Sequence, residues 1–281
     1  FSLDGEWQFR KVGEEKWHSA KVPGCIHTDL IDAGLIPDPF YRDNETKVQW
    51  IEKENWEYRR EFELADDITS KDNIELVANG LDTFAKIFIN GEKVAETDNM
   101  FRNWRFEIKP FLRAGKNEVR ILFESPVKRA KFLEEKLTHT LPGGSPHLRK
   151  APYHFGWDWG PRLVTSGIWR SIGVEAWSGA RIEELEIGQE FLEKKSVNLK
   201  LRITVLAEKE ESAEIKTAVQ GKKRFLKTEK VLLNKGSNSK EILFRIDNPD
   251  LWWPAGMGEQ NLYRITVEIY GKGEQLDSLS K

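Results

Sequence analysis

Apolar side chains on every second residue, in short runs cut by turn formers, recur along most of this chain and commit it to antiparallel β-structure. Tyr58, Phe62 and Leu64 are set off by Arg59, Glu61 and Glu63; Val119, Ile121 and Phe123 repeat the pattern, as do Ile172, Val174 and Ala176. Successive strand residues face opposite sides of a sheet, so this spacing gives strands with one buried face. Asn90-Gly91 supplies the backbone freedom that a two-residue hairpin turn requires. Residues 1–178 therefore read as a β-sandwich with two short helical interruptions. In one, Ser125 caps a helix with Pro126 at its first position, and Ala130, Leu133 and Leu137 share a face. The other runs from about His27 to Ala33, where Gly34 ends it.

The composition shifts at Trp177-Ser178-Gly179. Beyond it Val197, Leu199, Leu201, Ile203 and Val205 alternate strictly, followed by Ile215 to Val219, Ile242 to Ile246 and Tyr263 to Ile269, with turns rich in Lys and Glu between them. Residues 179–281 thus form a second, smaller all-β unit. Its size and strand spacing match an immunoglobulin-like sandwich of roughly 100 residues, without the cysteine pair of antibody domains. Pro249 and Pro254 keep the cluster Asn248-Pro249-Asp250-Leu251-Trp252-Trp253-Pro254 out of any central strand.

Charge balance removes two classes of partner. With 44 Lys and Arg against 46 Asp and Glu, the net charge of −2 offers no basic field for nucleic acid or an anionic membrane surface. No apolar stretch reaches the ~18 residues that span a bilayer, and Phe1 to Phe9 lack the zones of a signal peptide, so a soluble protein is expected. The single Cys25 mildly favours a cytoplasmic location. Because the chain starts at Phe1 and runs polar from Gly271 to Lys281, it reads as a fragment.

Few motifs for chemistry are present. The five histidines (His18, His27, His139, His147, His154) form no HExxH pattern and there is no paired cysteine spacing, so no metal is expected. Gly143-Gly144-Ser145 is not a nucleophile elbow, and Gly256-Met257-Gly258 lacks the third glycine of a dinucleotide loop, so no cofactor is expected either. His27 and Asp29 are equally well explained by a capped helix, and Arg42 reads as an ion-pair partner in a polar loop.

The densest unusual segment is Arg149 to Pro161, where Tyr153, His154, Phe155, Trp157 and Trp159 surround Asp158 among glycines and prolines. A sugar presents a face of C–H bonds that packs on an indole and a rim of hydroxyls that a carboxylate accepts, so Trp157, Asp158 and Trp159 suit a glycan. In extended backbone the two indoles point one way and Asp158 the other; a turn at Gly156 or Gly160 is needed for the three to converge. The competing reading places both indoles in the core and Asp158 in a turn.

Taken together, Leu3-Asp4-Gly5-Glu6-Trp7, PGCIHTDL (23–30), DPFYRDNE (38–45), ENWEYRREF (54–62), LDTFAKIFINGE (81–92), GWDWGP (156–161), TSGIWRSIGVEAW (165–177) and NPDLWWPAGMGEQNLYRITVEIY (248–270) resemble the N-terminal half of glycoside hydrolase family 2 enzymes of the β-mannosidase branch. The resemblance implies a jelly-roll, galactose-binding-like sandwich, then an immunoglobulin-like sandwich, then a catalytic (β/α)8 barrel that this chain does not contain. It implies retaining exo-hydrolysis of terminal β-D-mannosyl residues, with no catalytic residue in this chain. Asn44-Glu45 resembles the barrel's catalytic pair only as a dipeptide and receives no catalytic role. Trp157, Asp158 and Trp159 become substrate-binding positions toward a β-mannoside or manno-oligosaccharide, with Lys150 and His154 as supports holding the carboxylate. The partners implied are that sugar and the barrel of the same polypeptide; a homodimer is compatible with the sequence. The alternatives are an autonomous carbohydrate-binding module, a structural scaffold or, less well matched, part of a β-galactosidase or β-glucuronidase.

Overall fold

The computed structural model describes residues 1–141, 143–192 and 195–281. Two compact units divide the chain, Phe1–Ala176 and Trp177–Lys281.

In the first unit a six-stranded antiparallel sheet runs in the order His18–Val22, Gly5–Lys11, Trp56–Glu63, Lys116–Phe123, Ala85–Ile89, Glu92–Thr97. Along Lys116–Phe123 every second residue is buried, from Asn117 through Val119 and Ile121 to Phe123, as the period-two pattern requires. Register follows from that burial: Trp56 lies opposite Phe123 and Tyr58 opposite Ile121. The rings of Tyr58 and Phe123 meet edge to face with centroids 5.7 Å apart. A three-stranded sheet, Ile172–Trp177, Asn73–Ala78 and Trp104–Glu107, contributes Ile172, Val174, Ile74 and Leu76 to the same apolar core. Each large side chain removed from water here contributes about 1.5–3 kcal/mol.

The local signals fall where the sequence puts them. Asn90 and Gly91 adopt positive φ, 52° and 87°, between paired strands. The helix Pro126–Glu134 begins with the Ser125 Oγ accepting the Lys128 N–H at 3.2 Å. Ala130 is buried on it and Leu133 packs beside Phe84 and Leu148, whereas Leu137 lies past the helix end and is exposed. The short helix is Ile26–Asp32, with Gly34 at φ 67° behind it. One side of it is inside the protein: Asp29 accepts the Tyr58 hydroxyl at 2.6 Å and the Lys21 N–H at 3.0 Å.

The second unit pairs a three-stranded sheet (Ala180–Leu192, Ser196–Ala207, Gly236–Asp247) with a four-stranded one (Arg224–Leu233, Glu211–Gln220, Arg264–Gly271, Glu274–Ser280). Leu201, Ile203, Val205 and Phe244 on the first face Ile215, Val219, Val267 and Ile269 on the second, the interior of an immunoglobulin-like sandwich. The Trp252-Trp253 segment lies outside the two sheets, with Trp252 bridging to Gln260 and the Trp253 N–H donating to the Glu259 carbonyl at 2.9 Å, consistent with its two prolines.

Candidate sugar-binding hairpin

The segment 149–161 divides into a buried half and an exposed half. Lys150 and Ala151 lie inside, the Ala151 N–H donating to the Met100 Sδ at 3.1 Å. After a single turn, Pro152–His154, the chain makes two very short strands, Phe155–Trp157 and Gly160–Arg162. Phe155 pairs with Arg162 and Trp157 with Gly160, so Asp158 and Trp159 form a two-residue turn. The sequence reading placed the turn at a neighbouring glycine; it falls on Asp158-Trp159 itself. Gly156 serves differently. It sits at φ 94°, a left-handed backbone conformation that residues with a Cβ rarely adopt, so glycine is favoured at this position.

All three side chains of the tip reach solvent. Trp157 is 56% exposed, Trp159 is 70% exposed, and Asp158 is exposed between them, which excludes the reading that the indoles fill the core. The Tyr153 ring lies 5.9 Å from that of Trp159 and stands edge-on to His154 at 4.9 Å, widening the aromatic surface beside the turn. Two indole walls flanking an acceptor carboxylate can cover the apolar face of a sugar and accept from its hydroxyls.

Lys150 does not support Asp158. Its Nζ has no solvent exposure and is committed to Asp82, at 2.6 and 2.5 Å from the two carboxylate oxygens, and to the Thr165 carbonyl at 2.9 Å. A buried cation must take the nearest buried anion, and here that anion comes from 68 residues earlier in the chain. His154 belongs to the same cluster. The Thr165 hydroxyl gives its proton to Asp82 at 2.7 Å, so the 3.3 Å contact between Thr165 Oγ1 and His154 Nδ1 makes His154 the donor. His27 is buried close by, and its Nδ1 has no hydrogen-bond partner among the described residues. It and Asp29 are interior groups. Arg42, read as an ion-pair residue, instead lies over the Tyr41 ring at 5.1 Å. Among the described residues no three His, Cys, Asp or Glu gather as metal ligands.

Burial sets the charge states of this interior. It pulls Lys150 below its ordinary range while Asp82 pushes back. His27 and His154 fall to about 4, through burial first and the nearby Lys150 charge second. Asp29 rises to about 6 through burial, opposed by the Tyr58 hydrogen bond. The two histidines stay neutral in the fold while an unfolded chain binds their protons below 6.5; their stabilisation is complete above pH 6.5 and lost as pH falls toward 4. Asp29 acts oppositely, its stabilisation being present below 3.8 and lost as pH rises through about 6. Two groups outweigh one. The unfolding free energy of the first unit, read from urea titrations, is expected to fall between pH 7 and pH 4.5 by an amount on the order of 1–3 kcal/mol. His27→Asn should flatten that dependence.

The residues holding the hairpin's base are ones that the sequence reading did not identify. Arg162 makes a two-pronged ion pair with Glu52, Nη2 to Oε1 at 2.9 Å and Nε to Oε2 at 3.1 Å. Its backbone N–H donates to the Glu45 Oε1 at 2.7 Å, and its carbonyl accepts from the Gln49 Nε2 at 2.8 Å. Glu52 is largely shielded, and its own carbonyl accepts the Ser125 Oγ–H at 2.5 Å. Glu45 of the Asn44-Glu45 dipeptide thus tethers backbone.

Residues 7–170 match the family model described as the glycosyl hydrolase 2 galactose-binding domain-like family, and residues 180–281 match glycosyl hydrolases family 2. The chain belongs to glycosyl hydrolase family 2, as its galactose-binding-like sandwich followed by its immunoglobulin-like sandwich. Within that family its relatives are β-mannosidases. The crystal structure of β-D-mannosidase from Dictyoglomus thermophilum superposes with a TM-score of 0.94 at 39% identity, covering 100% of this chain and 35% of that one. Beta-mannosidase B of Thermothelomyces thermophilus is 35% identical over 99% of this chain and 33% of its own length, and the Bos taurus beta-mannosidase is 30% identical over 95% and 32%. The chain therefore spans about a third of the length of the curated relatives it matches. The exo-chitosanase CsxA of Amycolatopsis orientalis, 20% identical with a TM-score of 0.77, shares the fold.

Proposed function

We propose that this chain is the non-catalytic N-terminal part of a retaining exo-β-mannosidase and that its hairpin tip forms part of the pocket for the terminal mannosyl unit. The observation that carries this reading is the Trp157-Asp158-Trp159 tip, held out in solvent by a base anchored at several points. Asp158 accepts hydrogen bonds from sugar hydroxyls, and the two indoles wall the pocket and keep water and longer chains out. Bond cleavage belongs to two carboxyl groups elsewhere in the full-length polypeptide, one acting as acid/base and the other as nucleophile through a glycosyl-enzyme. The similarity to β-mannosidases over essentially the whole chain supports this assignment.

The test is hydrolysis of an aryl β-mannoside by the full-length polypeptide and by the 281-residue chain alone. Turnover by the first and none by the second is expected. Preference for an aryl β-galactoside or β-glucuronide would move the chain to another branch of the family. Calorimetric titration with manno-oligosaccharides adds a second arm: saturable binding to the isolated chain would make it an autonomous module instead.

A further inference from the structure

A hairpin whose arms are three residues each cannot hold its own position, because an isolated two-stranded ribbon is at best marginally stable in water. The tip must therefore inherit its place from whatever grips the base. One residue collects nearly all of that grip. Arg162 is tied through its guanidinium to Glu52, through its N–H to Glu45 and through its carbonyl to Gln49. A fifth bond, from Nη1 to the Phe155 carbonyl at 3.2 Å, locks the opposite arm to the same guanidinium. The Phe155 ring packs on the small cluster of Phe84, Ala130 and Leu148 and lies under the Arg162 guanidinium at 5.3 Å.

From these contacts we infer that Arg162 and Glu52, with Glu45 and Gln49, are positioning residues for the sugar site; this rests on the function proposed above. Their contacts are with the hairpin's base and not with its tip. The Phe155–Arg162 pair lies two residues before the Trp157–Gly160 pair, about 7 Å along the strands, so a tilt of only about 8° at the base displaces the tip by about an ångström. A two-pronged guanidinium–carboxylate pair fixes direction as well as distance, which a lysine at this position would not do. The grip also has a firm foundation. Glu52 is held by the Ser125 hydroxyl at the start of the helix Pro126–Glu134, and its neighbour Ile51 is fully buried. Segment 45–52 and the hairpin, more than a hundred residues apart in sequence, thus act as one rigid mount.

Glu52→Ala, Glu52→Gln and Glu45→Ala test this in the full-length polypeptide, with Asp158→Ala as a reference. Amide hydrogen exchange of peptides covering 155–162 is the readout that needs no sugar. Glu52→Ala should speed exchange there by at least about tenfold while the six-stranded sheet keeps its protection, and kcat/KM on an aryl β-mannoside should fall by about 10- to 100-fold, the cost of misplacing a binding group by about an ångström. Glu52→Gln, which still accepts from the guanidinium, should recover part of both losses. Glu45 is half-exposed on a short turn, so Glu45→Ala leaves the fold intact and should give a smaller change in the same direction should the Glu52 variants fail to fold. Unchanged exchange at 155–162 overturns the inference. So does faster exchange with undiminished hydrolysis, provided that Asp158→Ala impairs hydrolysis. If Asp158→Ala is itself without effect, the pocket reading fails, and the exchange data alone then decide whether the mount exists.

Discussion

Asp158→Ala in the full-length polypeptide is expected to lower kcat/KM on an aryl β-mannoside by about 100- to 1,000-fold while leaving the unfolding midpoint unchanged. The carboxylate is exposed at the turn, and among the described residues nothing pairs with it, so removing it breaks no contact within the fold. Surface changes of that kind alter stability by no more than about 0.5 kcal/mol. In the proposed pocket the same carboxylate would accept from sugar hydroxyls, and two charge-assisted bonds of this type would be worth about 1.5–3 kcal/mol each. A combined loss of about 3–4 kcal/mol corresponds to the stated range in rate. Asp158→Asn retains one acceptor and should fall between. Turnover within a few-fold of the parent, with the protein folded, places Asp158 outside the pocket.

Lys150→Met should do the reverse, costing the first unit about 3–5 kcal/mol of stability, the usual result of removing one partner from a buried ion pair. Asp82 is 2% exposed and, among the described residues, would keep the Thr83 and Thr165 hydroxyls, at 2.5 and 2.7 Å, as donors but no buried cation beside it. Against a total stability of roughly 5–15 kcal/mol this is a large fraction, readable as a lower urea midpoint. The double variant Lys150→Met/Asp82→Leu removes both charges and should regain much of the loss, because an apolar replacement of a buried pair is often near neutral. A single variant as stable as the parent would mean that the pair contributes nothing.

These two expectations also mark what could be read without coordinates. Strand alternation carried most of the fold: the buried face of Lys116–Phe123 and the turn at Asn90-Gly91 follow from periods and residue types that act locally. The exposed tip residues were equally visible, as an improbable concentration of rings around one carboxylate. What failed was whatever depended on distant partners. Lys150 lies eight residues before Asp158 in the chain and is assigned to that carboxylate under the family resemblance; its actual partner, Asp82, is recognisable only once the strands bring them together. Arg162 and Glu52 stand 110 residues apart, and neither has a local signature distinguishing it from a solvated charge. Arms of three residues are too short for any alternation to register, so the neighbouring glycines appeared to be the turn formers when the turn lay between them.

The two-residue turn gives the hairpin a quantised reach. Adding one residue to each arm would carry the tip about 3.3 Å further out but rotate both indoles to the opposite face; only additions of two per arm, about 6.6 Å, restore the original facing. If the tip lines the proposed pocket, its depth can therefore change only in large steps, and substrate range should be easier to retune by exchanging side chains at the tip than by lengthening the finger that carries them.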